Sequence, residues 1–207
     1  MEKSAVFLDR DGTLIEGIGY LRRPEEIKIV PSALEAVAKI NQNNFLAVVI
    51  TNQSAIARGW LTEPDLQGLH RLIDEIFQGR GSRLDAFYYC PHHPEIGSRP
   101  YRKVCRCRKP KPGLLLRAAE EFNINLQSSY MIGDQLLDAE AGCRAGCQTI
   151  LVKSGWGSRD LKLLAKGRKE NQHPSSLKWQ PDWIAKDILK AVEWILEQHN
   201  AKSLKNS

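Results

Sequence analysis

Carboxylates, a hydroxyl and an ammonium recur in this chain where a short apolar run gives way to a turn. Asp9 and Asp11 follow the apolar stretch Ser4 to Leu8 in the segment Asp9-Arg10-Asp11-Gly12-Thr13. Gly12 lets the backbone bend tightly there, so two carboxylates two positions apart can reach one reaction centre. Thr51-Asn52 follows the apolar run Phe45 to Ile50, and Lys109-Pro110 precedes a helical pattern opening near Gly113. Gly133-Asp134 follows Tyr130 to Ile132, with Asp138 one helical turn further. Clustered acids suit a hard divalent cation such as Mg²⁺, and the remaining hydroxyl and ammonium then suit a phosphoryl group.

A second constellation is chemically softer. Cys90-x-His92 and Cys105-x-Cys107 offer three thiolates and one imidazole with twelve residues between the pairs. Four such ligands favour tetrahedral Zn²⁺ and leave no open coordination position, so the expected role is structural: a staple on a loop too polar to pack by itself. His93 is the alternative imidazole to His92. Cys143 and Cys147 lie apart, in an Ala/Gly-rich helix end, and read as small buried packing residues.

The elements that must carry these residues alternate. Ser4 to Leu8, Phe45 to Ile50, Ala86 to Tyr89, Tyr130 to Ile132 and Thr149 to Val152 read as buried strands. Between them, a capping box at Ser32 to Glu35 opens a helix with Leu34, Val37, Ala38 and Ile40 on one face. A second box at Thr62 to Asp65 opens another with Leu66, Leu69, Ile73 and Phe77; Gly113 to Phe122 and Ala139 to Ala145 supply two more. This order predicts an α/β, Rossmann-like doubly wound parallel sheet with helices on both faces. Residues 90–112 interrupt the alternation as the zinc-stapled loop insertion. Residues 153–180 read as a polar, basic, mobile insertion with a helical piece near Leu161 to Ala165. Asp182 to Ile184 reads as an edge strand, Asp187 to Gln198 as an amphipathic helix and residues 200–207 as a frayed tail. One domain over residues 1–199 is expected, and the 207 residues are enough to bury a core.

The net charge of +6 is not spread evenly. Arg99 to Lys111 holds seven basic residues and no acid, and Lys153 to Lys178 seven against two; the rest of the chain is acidic. Concentrated charge fits a small anionic ligand better than a nucleic-acid coat, and no interleaved aromatic and basic stripe offers strands a stacking surface. No apolar run approaches the roughly 18 residues of a membrane span. Only Ala5 to Leu8 precedes the first charged cluster, so no secretory leader is expected and the cytoplasm is the expected compartment.

In order and spacing, Asp9-x-Asp11-Gly12-Thr13, Thr51, Lys109 and Gly133-Asp134 resemble the four motifs of the haloacid dehalogenase-like phosphatases, over most of the first 152 residues. The resemblance implies that Asp9 is the nucleophile forming an aspartyl-phosphate, and that Asp11 protonates the leaving group and then activates water. Thr51 and Lys109 would hold phosphoryl oxygens, and Mg²⁺ would sit on Asp9, the Asp11 carbonyl and Asp134. The run Tyr88 to Pro94, Cys105 to Pro110 and Thr51 to Ser54 further resembles the subgroup acting on heptose bisphosphate and histidinol phosphate. Members of that subgroup carry the zinc loop and lack a large cap; here about forty residues separate the Asp pair from Thr51, too few for an independent cap domain.

That likeness implies a small phosphorylated metabolite as substrate, with Gly17 and Tyr20 lining the sugar, Asn52, Gln53 and Ser54 at the phosphate end, and Arg108 gripping a second anionic group. A monomer is expected. The chain departs from the subgroup at Ala55, where Gly is usual, and at Gln135, where Lys is frequent. A nucleic-acid end phosphatase and a catalytically silent zinc-stabilised binding module are the competing readings; the intact Asp9, Asp11, Lys109 and Asp134 oppose the second.

Overall fold

The structure, a computed structural model, describes residues 2–17, 19–162 and 180–205. Six strands form one all-parallel sheet in the order β3-β2-β1-β4-β5-β6. They are β1 (Ala5–Leu8), β2 (Leu46–Asn52), β3 (Ala86–Cys90), β4 (Tyr130–Gly133), β5 (Gln148–Val152) and β6 (Trp183–Ala185). The helices are α1 (Pro31–Gln42), α2 (Glu63–Gln78), α3 (Gly113–Phe122), α4 (Leu136–Ala145) and α5 (Ile188–Lys205). Strand direction reverses its lateral progress at β1, so β1 and β4 flank the switch point, outside whose carboxyl ends ligands bind in sheets of this kind.

Alternation along the strands divides the core. Val6, Leu8, Val49 and Ile132 pack with α1, α2 and α5 on one face, while Ala5, Phe7, Val48 and Met131 pack with α3 and α4 on the other. A strand buried on both faces reads as a continuous apolar run, and β1 is buried at every position.

Several local expectations shift. Helix α1 has no side-chain cap: Pro31 occupies its first turn and Val30 its N-cap. Proline's fixed φ suits the first helical position, which draws Ser32 inside the helix and out of the capping box. The buried face of α1 is Ala33, Ala36, Val37 and Ile40, with Ala38 only half-buried. The Thr62–Asp65 box forms as expected. Helix α4 starts one turn early, at Leu136, because Asp138 accepts the Gln135 N–H at 3.0 Å. Cys147 is buried but Cys143 is exposed, since it falls on the outer side of α4. Helix α5 continues through Lys205 where a frayed tail was expected from residue 200; no Gly or Pro lies between Ile188 and Lys205 to stop it. Within the basic insertion, residues 157–162 are helical, which takes in the start of the helical piece expected at Leu161; its remainder lies outside the described residues.

Candidate active site

Asp9 leaves β1 with its N–H bonded to the Ile132 carbonyl at 2.9 Å, which ties the nucleophile candidate to β4. The chain then turns: Leu14 and Ile15 both return N–H bonds to the Arg10 carbonyl at 3.0 Å, and Gly12 takes φ 87°. A Cβ at Gly12 would collide with the Asp134 carboxylate, so only glycine lets the first turn approach the end of β4. Gly133 has the same function toward Asp138.

Lys109 is 3% exposed and, among the described residues, carries the only ammonium in this cluster. Its Nζ lies 2.7 Å from Asp9 Oδ1, 2.7 Å from Asp138 Oδ1 and 2.7 Å from the Ile50 carbonyl. Asn52 pins the lysine backbone from both sides: its Oδ1 accepts from Lys109 N–H and its Nδ2 donates to Lys109 C=O, each at 3.1 Å. Gln53 Nε2 donates to Thr51 Oγ1 and to Asp11 Oδ2, both at 2.8 Å. Thus Asn52 and Gln53, expected against substrate, also order the catalytic candidates.

Burial first, and then the neighbouring carboxylates against the opposing Lys109, raise Asp9 to about 7. Burial and the charges of Asp9 and Asp138 raise Asp134 to about 8. Asp138 is raised by its burial, against the pull of Lys109. Three carboxylates thus meet around one ammonium in a dry place, an excess of negative charge that a divalent cation would relieve. Oxygens of Asp9, Asp134 and Asp138 lie within 4.8 Å of one another. Asp134 Oδ2 accepts the Trp156 N–H at 2.8 Å, while the buried Oδ1 has no partner. This donor set fits Mg²⁺. The Asp11 side chain stands apart, bonded to Arg10 and Gln53.

Asp9, Asp11, Gly17, Tyr20, Thr51, Asn52, Gln53, Ser54, Arg108 and Lys109 all border one cavity of about 260 Å³, joined by Gly19, Gln135, Leu137 and Trp156. Asp134 lies buried beside it. Ala55 is fully buried in the following turn, whose left-handed position falls on Gly59 at φ 72°. A larger concavity of about 870 Å³ lies outside β3, but its Glu63 is taken by the Tyr89 and Tyr101 hydroxyls and its Glu121 by Tyr88. Size therefore does not mark the reactive place; converging polar groups do.

Cys90, His92, Cys105 and Cys107 converge in the loop that leads to Arg108, with His92 and Cys107 bordering the larger concavity. Their sulfurs are 3.2 to 3.5 Å apart, and His92 Nδ1 is 3.3 Å from Cys107 Sγ and 3.6 Å from Cys90 Sγ. Such edges suit one tetrahedral soft-metal ion. His93 stands outside the group, its Nδ1 accepting the N–H groups of Glu95 and Ile96. Arg108 follows the last thiol and donates from Nη1 to the His92 carbonyl at 3.1 Å, so the cluster and the guanidinium are fixed together.

Three neighbours had no place among the expected site residues. Asp138 had a local signal, one turn after Asp134 on a helix. Trp156 and His70 had none: the first arrives from beyond β5, and the second reaches Arg10 from α2.

Comparison with known proteins agrees with this geometry. A haloacid dehalogenase-like hydrolase family model matches residues 17–146, and a HAD-hydrolase-like model matches residues 106–191. The D-glycero-beta-D-manno-heptose-1,7-bisphosphate 7-phosphatase of Pasteurella multocida is 44% identical over 154 residues, 74% of this chain and 83% of its own length. The D-glycero-D-manno-heptose-1,7-bisphosphate 7-phosphatase of Thermosynechococcus vestitus is 37% identical over 199 residues, covering 94% of this chain and 96% of its own. Among solved structures, the D,D-heptose 1,7-bisphosphate phosphatase of B. bronchiseptica complexed with magnesium and phosphate superposes with a TM-score of 0.77 at 30% identity, covering 94% of this chain and 99% of its own. With the aspartates, threonine and lysine gathered at the carboxyl ends of a parallel sheet and relatives of this extent, the chain belongs to the haloacid dehalogenase-like hydrolases.

Proposed function

We propose that the chain is a Mg²⁺-dependent phosphomonoesterase that removes the 7-phosphate of D-glycero-D-manno-heptose 1,7-bisphosphate through an aspartyl-phosphate on Asp9. The observation carrying this reading is that Asp9, Asp11, Thr51 and Lys109 border the same small cavity as Arg108 and Tyr20, so phosphoryl-transfer groups and an anion-recognising guanidinium share one space. The names of the relatives support the sugar.

Lys109 holds Asp9 Oδ1, so attack falls to Oδ2. An Oδ2–P bond forms while the ester P–O bond breaks, and Asp11, as general acid, gives a proton to the departing alkoxide. Asp11, now a carboxylate, takes a proton from water as that water attacks phosphorus; the Oδ2–P bond breaks and phosphate leaves. The Thr51 hydroxyl would hold one transferring oxygen, and the Lys109 ammonium would turn one of the three donors now spent on Asp9, Asp138 and the Ile50 carbonyl to another. Asp9, Asp134 and the Asp11 carbonyl would hold Mg²⁺, which when bound offsets the repulsion between the carboxylate and the phosphoryl group. Zn²⁺ on Cys90, His92, Cys105 and Cys107 is structural in this reading, and residues 1–199 act as one cytoplasmic, monomeric phosphatase unit without a cap.

The test is phosphate release with Mg²⁺ from both heptose 1,7-bisphosphate anomers, fructose bisphosphate, histidinol phosphate and a 3′-phosphorylated oligonucleotide. A heptose bisphosphate is expected to give the highest kcat/KM, and Asp9→Asn to abolish turnover while the chain stays folded. Preference for histidinol phosphate or the oligonucleotide would replace the substrate assignment, and turnover by clean Asp9→Asn protein would sink the mechanism.

A further inference from the structure

Arg10 stands between the two aspartates in sequence, yet its side chain is 1% exposed and turned away from solvent. A guanidinium buried to this degree needs partners for its donors. Nη2 donates to Asp11 Oδ1 at 2.8 Å and to Oδ2 at 2.9 Å, and Nε donates to Oδ1 at 3.2 Å. Nη1 meets His70 Nε2 at 3.2 Å, across sixty positions of sequence. Arginine has no acceptor and stays protonated, so His70 Nε2 must be the acceptor and the ring is neutral with its proton on Nδ1. Burial, followed by the Arg10 charge, pulls His70 down to about 3, in keeping with that state. The ring is itself held, stacked on Phe87 with centroids 4.6 Å apart and edge-on to Tyr89 at 5.9 Å.

This chain of contacts fixes one carboxylate. Asp11 is gripped by Arg10 and Gln53 while its side chain keeps 23% of its surface open beside the cavity. A neutral acceptor orients the guanidinium without competing for its charge, which leaves Asp11 as its only counter-ion among the described residues. We infer that His70 is a positioning residue for proton transfer: through Arg10 it holds Asp11 at the place where the carboxylate serves leaving group and water. The inference rests on the reading of Asp11 as acid and base.

Stopped-flow hydrolysis of p-nitrophenyl phosphate with Mg²⁺ separates the steps. p-Nitrophenolate leaves without a proton, so phosphorylation of Asp9 does not depend on Asp11, whereas breakdown of the aspartyl-phosphate does. His70→Leu is expected to release one p-nitrophenolate per site at the wild-type rate and then turn over about tenfold or more slowly, with KM falling in step so that kcat/KM stays within about twofold. His70→Gln, which restores an acceptor, is expected to recover most of that turnover. A burst and a steady phase slowed equally would show a merely structural disturbance of Asp9, and unaltered turnover in folded His70→Leu would show no coupling; either overturns the inference. Where His70→Leu does not fold, Arg10→Lys, which keeps the buried charge and loses the fork, carries the same test. Wild-type protein lacking p-nitrophenyl phosphatase activity would instead refute the underlying function.

Discussion

The ammonium of Lys109 lies as close to Asp138 as to Asp9, 2.7 Å from an oxygen of each. One cation is thus shared between the carboxylate that follows β1 and a helix carboxylate behind it. Removing one partner of a buried ion pair leaves the other uncompensated, at a cost of about 3 to 5 kcal/mol. Lys109→Met is therefore expected to lower unfolding free energy by that order in metal-free protein and to abolish turnover. Asp138→Asn, which keeps the shape and the Asp9 pair, is expected to destabilise less and to lower kcat. Urea titrations and phosphate release check both, and a fully active Asp138→Asn protein would show that the second contact is dispensable.

Asp9 at about 7 and Asp134 at about 8 imply that the metal-free site retains protons near neutrality. A divalent cation must displace them, so Mg²⁺ affinity is expected to rise with pH between 6 and 8, by up to about tenfold per pH unit for each proton released. Calorimetry in two buffers of different ionisation heat counts those protons. The same affinity at pH 6 and pH 8 would contradict the picture.

Protein prepared without chelator is expected to carry one tightly held zinc per chain, and Cys105→Ser to lose it. The loop aims Arg108 and Lys109, the two residues after Cys107, so loss of zinc is expected to depress turnover and lower Tm together. Elemental analysis alongside activity measures this; a zinc-free, fully active wild-type preparation would remove the staple from the account.

His70 provides a stability test of its own. Its folded pKa, about 3, lies below the ordinary 6.5, so the unfolded chain binds the proton first as pH falls. The stabilisation is complete above about pH 6.5 and is lost toward pH 3, with a slope of at most about 1.4 kcal/mol per pH unit. Relative to His70→Gln, wild-type protein is expected to lose stability between pH 7 and pH 5, as chemical denaturation at the two values would show.

Arg108 is bonded to the loop through the His92 carbonyl and also borders the cavity. Arg108→Ala is expected to lower kcat/KM for a bisphosphate by roughly 1.5 to 3 kcal/mol, chiefly through KM, the range for hydrogen bonds to charged groups. p-Nitrophenyl phosphate, which has no second anion, is expected to change far less. Equal losses on both substrates would place Arg108 at the shared phosphoryl end.

Much of this arrangement was legible locally. Apolar runs closed by turns mark strand ends in one dimension, and in a parallel sheet all those ends share one edge; this is why the sequence alone groups Asp9, Thr51 and Asp134. The Thr62–Asp65 box and the two Cys/His pairs are equally local, each needing only residue type and spacing. The capping box at Ser32 misled because Pro31 competes for the same helix start, and the tail misled because polarity resembles fraying while helix propensity remained adequate.

Residue order by itself determined the alternation of strands and helices, the chemical set at the strand ends and the four-ligand loop, because each is a short-range pattern in chemistry and periodicity. Only the tertiary structure decided that Asn52 would pin the backbone of Lys109 across 57 positions and that His70 would reach Arg10 across 60. It also decided that Asp138 would share the ammonium of Lys109. These pairings are set by how each crossover packs its helix on the twisted sheet, and burial is what makes a partner obligatory for every charge brought there.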